Sequence, residues 1–165
     1  MKNIVLIGMP GAGKSTVGVL LAKSLKRPFC DTDLLIQTAA DRYLQEIIDD
    51  EGMEAFLDRE ARVICDLQVV GAVIATGGSV VYREAAMRQL AATGTVVYLA
   101  ASCATIAQRI SDVATRGIAR RPGQDICSLY AERHPRYCQY ADLTIATDAR
   151  AIEEVVTQLA RHFRG

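Results

Sequence analysis

The chain has 165 residues, enough for one domain with a sizeable core. Half of them are hydrophobic and 23% are charged, which excludes a disordered chain. Nineteen acidic residues balance nineteen basic ones, so no charge bias points to nucleic acid or to a membrane surface. The basic set is 15 Arg against 4 Lys, and Arg is the better fork for phosphate and carboxylate. Five cysteines are scattered with no C-x-x-C spacing, so reduced thiols packed inside a cytosolic protein are expected. Residues 1–8 read as strand and turn rather than as a leader, and no apolar run reaches the roughly 18 residues that span a bilayer. A cytoplasmic protein is expected, with a monomer as the default.

In chain order, Ile4 to Ile7 is a short, continuous apolar run ending at Gly8, which predicts a buried parallel strand. From Lys14 to Leu25, Val17, Leu20, Leu21 and Leu25 share one helical face. Pro28 to Cys30 predicts a second strand that delivers Asp31-Thr32-Asp33 at its end. Asp33 to about Val70 predicts helix, broken near Gly52. Ala72 to Ala75 predicts a third strand stopped by Gly77-Gly78, and Arg83 to Ala92 a helix. Thr95 to Leu99 predicts a fourth strand, and Ser102 opens another helix. Residues 111–124 are rich in Arg, Gly, Asp and Thr and read as an exposed loop. Ile126 to Tyr140 predicts helix despite Pro135, Asp142 to Ile145 a fifth strand, and Ala151 to Phe163 a closing helix. Strands alternating with helices predict an α/β fold with a parallel sheet covered on both faces. Ligands of such sheets bind beyond the carboxyl ends of the strands, and every motif below falls at such an end.

Gly8-Met9-Pro10-Gly11-Ala12-Gly13-Lys14-Ser15 matches G-x-x-x-x-G-K-[ST], with an apolar strand before it and an amphipathic helix after it. Such a loop curls so that successive N–H groups face phosphate oxygens, and the helix adds the positive end of its dipole. The motif predicts binding of a nucleoside triphosphate, ATP with Mg²⁺, by Gly11, Ala12, Gly13, Lys14, Ser15 and Thr16. Lys14 reaches the β- and γ-phosphates, and the Ser15 hydroxyl ligates the metal. Past the second strand, Asp31 and Asp33 occupy alternate positions, which on extended chain point to one side. One can face the metal and the other an acceptor hydroxyl; the plainer alternative is that either one caps the next helix. Gly77 and Gly78 permit close backbone approach by a ligand. Arg109, Arg116, Arg120, Arg121 and Arg133 lie on one stretch, suited to a flap that closes over phosphates. Of these, Arg116 reads as a solvated surface residue. The two His suggest no metal site, and His134 reads as surface.

These motifs, in this order and spacing, resemble the shikimate kinase family over essentially the whole chain. The carriers are the phosphate loop, Asp31-Thr32-Asp33, Gly77-Gly78-Ser79, Val96-Val97-Tyr98-Leu99, Arg121-Pro122, Arg133-His134-Pro135-Arg136-Tyr137 and Ala141-Asp142. The resemblance implies a P-loop NTPase-like fold, a five-stranded parallel sheet flanked by helices, as one kinase domain over 1–165 with a mobile lid at about 111–124. It implies transfer of the γ-phosphoryl of ATP to a hydroxyl of shikimate. It further implies that Lys14 and Arg121 stabilise the moving phosphoryl group, and that Ser15 and Asp31 hold Mg²⁺. Asp33 then orients or deprotonates the acceptor hydroxyl. Gly77, Gly78 and Arg133 hold substrate, and Arg109 lies against adenine.

The sequence also departs from the family pattern. In Gly52-Met53-Glu54-Ala55-Phe56-Leu57-Asp58-Arg59-Glu60, Leu57 stands where the family has the Arg that grips the substrate carboxylate. Arg59 is turned about 200° from position 57 on a helix and should point away. Ser79 replaces a third glycine, and the lid reads Arg121-Pro122-Gly123. All these changes fall on the acceptor side or the lid. Three functions are therefore compared: a shikimate kinase with a rearranged carboxylate grip, a kinase of the same fold acting on another small hydroxylated metabolite, and a nucleotide-binding regulator without catalysis. Retention of Lys14, Asp31, Asp33 and Arg121 speaks against the third.

Overall fold

The computed structural model describes residues 1–111 and 117–164. Five parallel strands form one sheet in the order β2-β3-β1-β4-β5: β1 Asn3–Ile7, β2 Phe29–Asp31, β3 Val73–Ala75, β4 Gly94–Ala100 and β5 Leu143–Ala146. The expected strands are all present. β1 is buried along its whole length between β3 and β4, which is why its residues from Ile4 to Ile7 are continuously apolar rather than alternating. The one polar residue in it, Asn3, is satisfied: its side chain donates to the Val69 carbonyl and accepts from the Ala72 amide, both at 2.9 Å.

Helix α1, Lys14–Leu25, follows the phosphate loop and packs on α8, Ile152–Arg164, and on β3. Leu20 is half-exposed, so Val17, Leu21 and Ala22 carry the buried face instead. The long helix expected from Asp33 to Val70 is three helices: α2 Thr32–Ala40, α3 Leu44–Glu51 and α4 Met53–Cys65. The break at Gly52 occurs as expected. The additional break follows from Asp41, which takes a left-handed conformation (φ 51°) and ends α2. Gln37 Oε1 then accepts from the Leu44 amide, and Glu46 accepts from the Tyr43 amide, which restarts the chain as α3. A 3-10 turn at Val80–Tyr82 precedes α5, Glu84–Thr93. α6 spans Cys103–Ser111, and its first turn is capped by Ser102, whose hydroxyl accepts from the Thr105 amide. α7, Ile126–Tyr140, contains Pro135 and is capped by Asp125.

Of the expected lid, residues 112–116, with Arg116, lie outside the described residues. Residues 117–124 run over α2–α4, with Ala119 buried among Ile36, Leu44, Ile47, Phe56 and Leu57. His134 is not the surface residue the sequence suggested: its ring stacks on Tyr130, and its Nδ1 lies 2.9 Å from the Tyr98 hydroxyl. Among the described residues, no helix is long and apolar enough to cross a membrane.

The expectation of five reduced thiols is also corrected. Cys103 and Cys127, at the first turns of α6 and α7, are joined as a disulfide with their Cα atoms 5.8 Å apart; Cys30, Cys65 and Cys138 are free. Packing of the two helices brings the pair together across 24 residues of sequence, which no local spacing rule reveals. Titration of purified protein in denaturant should therefore count three thiols without reductant and five after reduction. Five thiols in both conditions would remove the bridge.

Candidate active site

The site begins where β1 ends. Gly8 has φ 145°, and a Cβ there would stand 2.7 Å from the Leu99 carbonyl of β4, so only glycine lets the chain turn this close to its neighbour. The loop then curls into α1. The buried Lys14 ammonium (8% exposed) folds back along it and donates to the Gly8 and Met9 carbonyls at 2.8 and 2.9 Å. Gly11, Ala12, Gly13, Lys14, Ser15, Thr16 and Arg109 all line one cavity of about 340 Å³, as expected of a nucleotide site. Arg109 reaches it from α6 and donates to the Gly11 carbonyl at 3.2 Å. The sequence reading missed the cavity's far wall, formed by Thr147, Arg150, Ile152 and Val155 around the start of α8. Nothing local marks those residues.

Asp31 takes the plainer of the alternatives left open by the sequence, the helix cap, and also meets Ser15. As N-cap of α2, its Oδ1 accepts from the Asp33 amide at 3.0 Å, while its Oδ2 accepts from the Ser15 hydroxyl at 2.7 Å. Asp33 lies in the first turn of α2, not on extended chain, so the alternation argument is replaced by a helical one. It nevertheless faces the cavity and the Gly77 backbone. The Ser15 hydroxyl and the Asp31 carboxylate are a compact pair of hard oxygens of the kind that suits Mg²⁺.

Thr76 ties the end of β3 to β1 by donating its hydroxyl to the Leu6 carbonyl at 2.9 Å. This holds the glycine pair in place. A Cβ on Gly77 would fall 2.3 Å from Glu60 Oε1 and 2.8 Å from Asp33 Oδ1; one on Gly78 would meet Pro10 Cδ at 2.8 Å and Arg133 Nη1 at 3.0 Å. A side chain at Gly77 would thus collide with two carboxyl groups, and one at Gly78 with the Pro10 ring and the Arg133 guanidinium. Arg133, on α7, is 1% exposed; its Nε donates to the Tyr82 hydroxyl at 3.2 Å and its Nη2 to the Ala119 carbonyl. Arg121 is not brought to the phosphate loop. It is exposed, 3.8 Å from Glu132, and lines a separate cavity beside Leu57. Arg59 turns away as expected and pairs with Glu51 at 2.9 Å.

Glu60 is a site residue that the sequence reading passed over, although it closes the segment that runs from Gly52. It is 2% exposed. Its Oε2 accepts from the Ser79 hydroxyl at 2.8 Å, while Oε1 has no hydrogen-bond partner among the described residues. Burial, and then the negative charge of Asp33, raise its carboxyl from the ordinary 4.5 to about 7; Ser79, Arg133 and Lys14 act in the opposite direction.

A glycine-cradled anion site at a helix N-terminus, a hydroxyl–carboxylate pair beside it and a second carboxylate from the next strand end, on a five-stranded parallel sheet, define a P-loop phosphotransferase. Comparison with known proteins narrows the class: the family model described as shikimate kinase matches residues 10–164, and the chain belongs to the shikimate kinase family. It is 41% identical to the shikimate kinase of Pseudomonas fluorescens (strain Pf0-1) over 162 residues, covering 96% of this chain and 94% of the relative. It is also 41% identical to the shikimate kinase of Symbiobacterium thermophilum over 165 residues, covering 95% and 93%. Among solved structures, it matches shikimate kinase from Acinetobacter baumannii in complex with shikimate, with a TM-score of 0.87 at 29% identity over 99% of this chain and 93% of that one. The Aquifex aeolicus shikimate kinase matches with a TM-score of 0.83 at 32% identity, covering 99% and 96%.

The charge state of Glu60 gives this site a measurable signature. A carboxyl with a raised folded pKa holds its proton more tightly in the folded than in the unfolded chain. Its stabilising contribution is full below about 4.5 and is lost as pH rises through about 7. The ligand-free protein should therefore lose up to about 3 kcal/mol from this group across that window. Glu60→Gln should flatten the fall of Tm between pH 5 and pH 8; parallel curves for the two proteins would contradict the assignment.

Proposed function

We propose that the chain transfers the γ-phosphoryl group of ATP to a ring hydroxyl of shikimate. The observation that carries this reading is the meeting of the phosphate loop with two carboxylates of different environment, Asp31 on the Ser15 hydroxyl and Asp33 against the glycine pair. Membership of the shikimate kinase family supports the choice of acceptor.

In this reading, the Gly11–Ser15 amides and the α1 N-terminus bind the phosphates. Lys14 exchanges the Gly8 and Met9 carbonyls for β- and γ-phosphate oxygens and stabilises the charge that develops on the moving group. Ser15 and Asp31 hold Mg²⁺, which, when bound, neutralises phosphate charge. Asp33 accepts the hydrogen bond of the acceptor hydroxyl and takes its proton as the oxygen attacks. The amides of Gly77 and Gly78, with Arg133, orient the acceptor, and Arg109 lies along the nucleotide base. Arg121, on the expected lid, turns its exposed side chain from Glu132 towards the phosphoryl group. Leu57 favours a second reading. Its burial in an apolar cluster fits an acceptor that is neutral where the ring meets position 57.

Coupled ADP-release assays with Mg-ATP against shikimate and a panel of sugar acids, polyols and nucleosides separate the two. Saturable turnover of shikimate with KM between about 1 μM and 1 mM supports the first reading, and turnover confined to another acceptor replaces it with the second. Lys14→Ala should lower kcat by about 100-fold or more, and Asp33→Asn by about 100-fold with the nucleotide KM little changed. Full activity of the Lys14 variant would sink the phosphate-loop assignment.

A further inference from the structure

A second cavity, of about 440 Å³, opens on the acceptor side between α4, the 3-10 turn, residues 120–122 and α7. Leu57 and Tyr82 give it an apolar wall. Four arginines line it, Arg83, Arg120, Arg121 and Arg136, against two carboxylates, Glu54 and Glu132. Their engagement is unequal. Arg83 is held by Glu54 and Asp58, each at 2.7 Å. Arg121 lies 3.8 Å from Glu132, and Arg120 donates to the Gln124 carbonyl at 3.2 Å. Arg136 has no ion pair among the described residues; its guanidinium carbon rests 5.3 Å from the centre of the Tyr82 ring. Arg133, one turn earlier on α7, lies 5.0 Å from the same ring centre, but its Nε and Nη2 are already engaged by the Tyr82 hydroxyl and the Ala119 carbonyl, and its Nη1 lies beside Gly78.

A guanidinium held against an aromatic ring is positioned by its face, which leaves the in-plane fork of N–H donors for a planar oxyanion. Charge-assisted, two-pronged bonds to a carboxylate are the interaction that such a fork makes best. The cavity thus offers an apolar surface for a compact ring and an uncommitted fork for its anionic substituent, and Tyr82 in its wall joins it through Arg133 to the glycine pair. We propose that Arg136 binds the carboxylate of the acceptor and so determines the specificity of this chain for an acidic substrate. The proposal rests on the reading of the acceptor as shikimate and adds to it a binding residue on the exposed turn of α7. It also accounts for an apolar residue at position 57: the ring packs on Leu57, and its charge is met from the opposite element.

The test is steady-state kinetics of wild type, Arg136→Met and Arg136→Lys with shikimate and with its uncharged methyl ester. Arg136→Met should raise the shikimate KM about tenfold, the lower end of a charge-assisted bond because the site is partly open to solvent. Its kcat should change by less than about threefold, with the ATP KM unchanged. The ester KM should be nearly the same in both proteins, and Arg136→Lys should recover part of the loss for the acid. An unchanged shikimate KM in Arg136→Met overturns the proposal, as does an equal loss for acid and ester. Failure of wild type to turn over shikimate overturns the acceptor reading and, with it, this assignment.

Discussion

A buried positive charge governs the acceptor half of this molecule. Removing a guanidinium from water costs several kcal/mol unless its donors are met, and Arg133 is buried almost completely. The fold meets it from four directions: the Tyr82 hydroxyl, the Ala119 carbonyl, the face of the Tyr82 ring and the nearby Glu60 carboxyl. Each of those groups is then fixed in turn. Tyr82 donates its hydroxyl to Glu132 at 2.7 Å, and Glu60 accepts from Ser79. One helical turn beyond Arg133, Tyr137 donates to the Gly78 carbonyl at 2.5 Å. The end of β3, the 3-10 turn, α4, α7 and residues 117–121 thus form one interdependent set, and the crowding at Gly77 and Gly78 is its geometric consequence.

The same network explains the electrostatics. Glu60 and Asp33 both present carboxyl oxygens to the Gly77 backbone, so two negative charges would converge there, one of them on a buried side chain. Burial and mutual repulsion favour a proton on one of them. Glu60, the deeper, is the one raised, while Asp33 is the group that lines the cavity. The two acidic groups thus sit in different environments, one enclosed and one lining the cavity.

The donor half was legible in the sequence because it is made from neighbours. β1, its glycine and the opening of α1 are consecutive, and their roles follow from backbone geometry. Asp31 was legible for the same reason, as a cap two residues from the amide it binds. The long helix was misread because the apolar period continues across Asp41, and only its left-handed backbone interrupts it. The acceptor half could not be read in this way. Glu60 meets Ser79 across 19 residues, Tyr82 meets Glu132 across 50, and Cys103 meets Cys127 across 24. His134 looked exposed because its partner, Tyr98, lies on β4. Arg121 was expected at the phosphoryl group, on a lid at about 111–124; its position beside Glu132 depends on how residues 117–124 pack, which no motif encodes.

That difference in construction bears on how the two halves tolerate change. A phosphate cradle built from consecutive backbone amides leaves little freedom for substitution, and every residue of its motif is present. An acceptor site assembled from separate elements can lose one side chain if its surroundings close without orphaned charge. At Leu57 they close well: the side chain is 2% exposed and packs with Ile36, Phe56 and Ala119. Arg59 takes no part, because its helical position sends it to Glu51. The remaining imbalance is Glu60, one turn along α4: its Oε1 has no hydrogen-bond partner among the described residues, and protonation offsets a burial that the nearby Arg133 and Lys14 relieve only in part. Leu57 and Glu60 thus lie one helical turn apart on the buried face of α4, and an apolar side chain at the first and a raised carboxyl at the second both keep that face free of uncompensated charge.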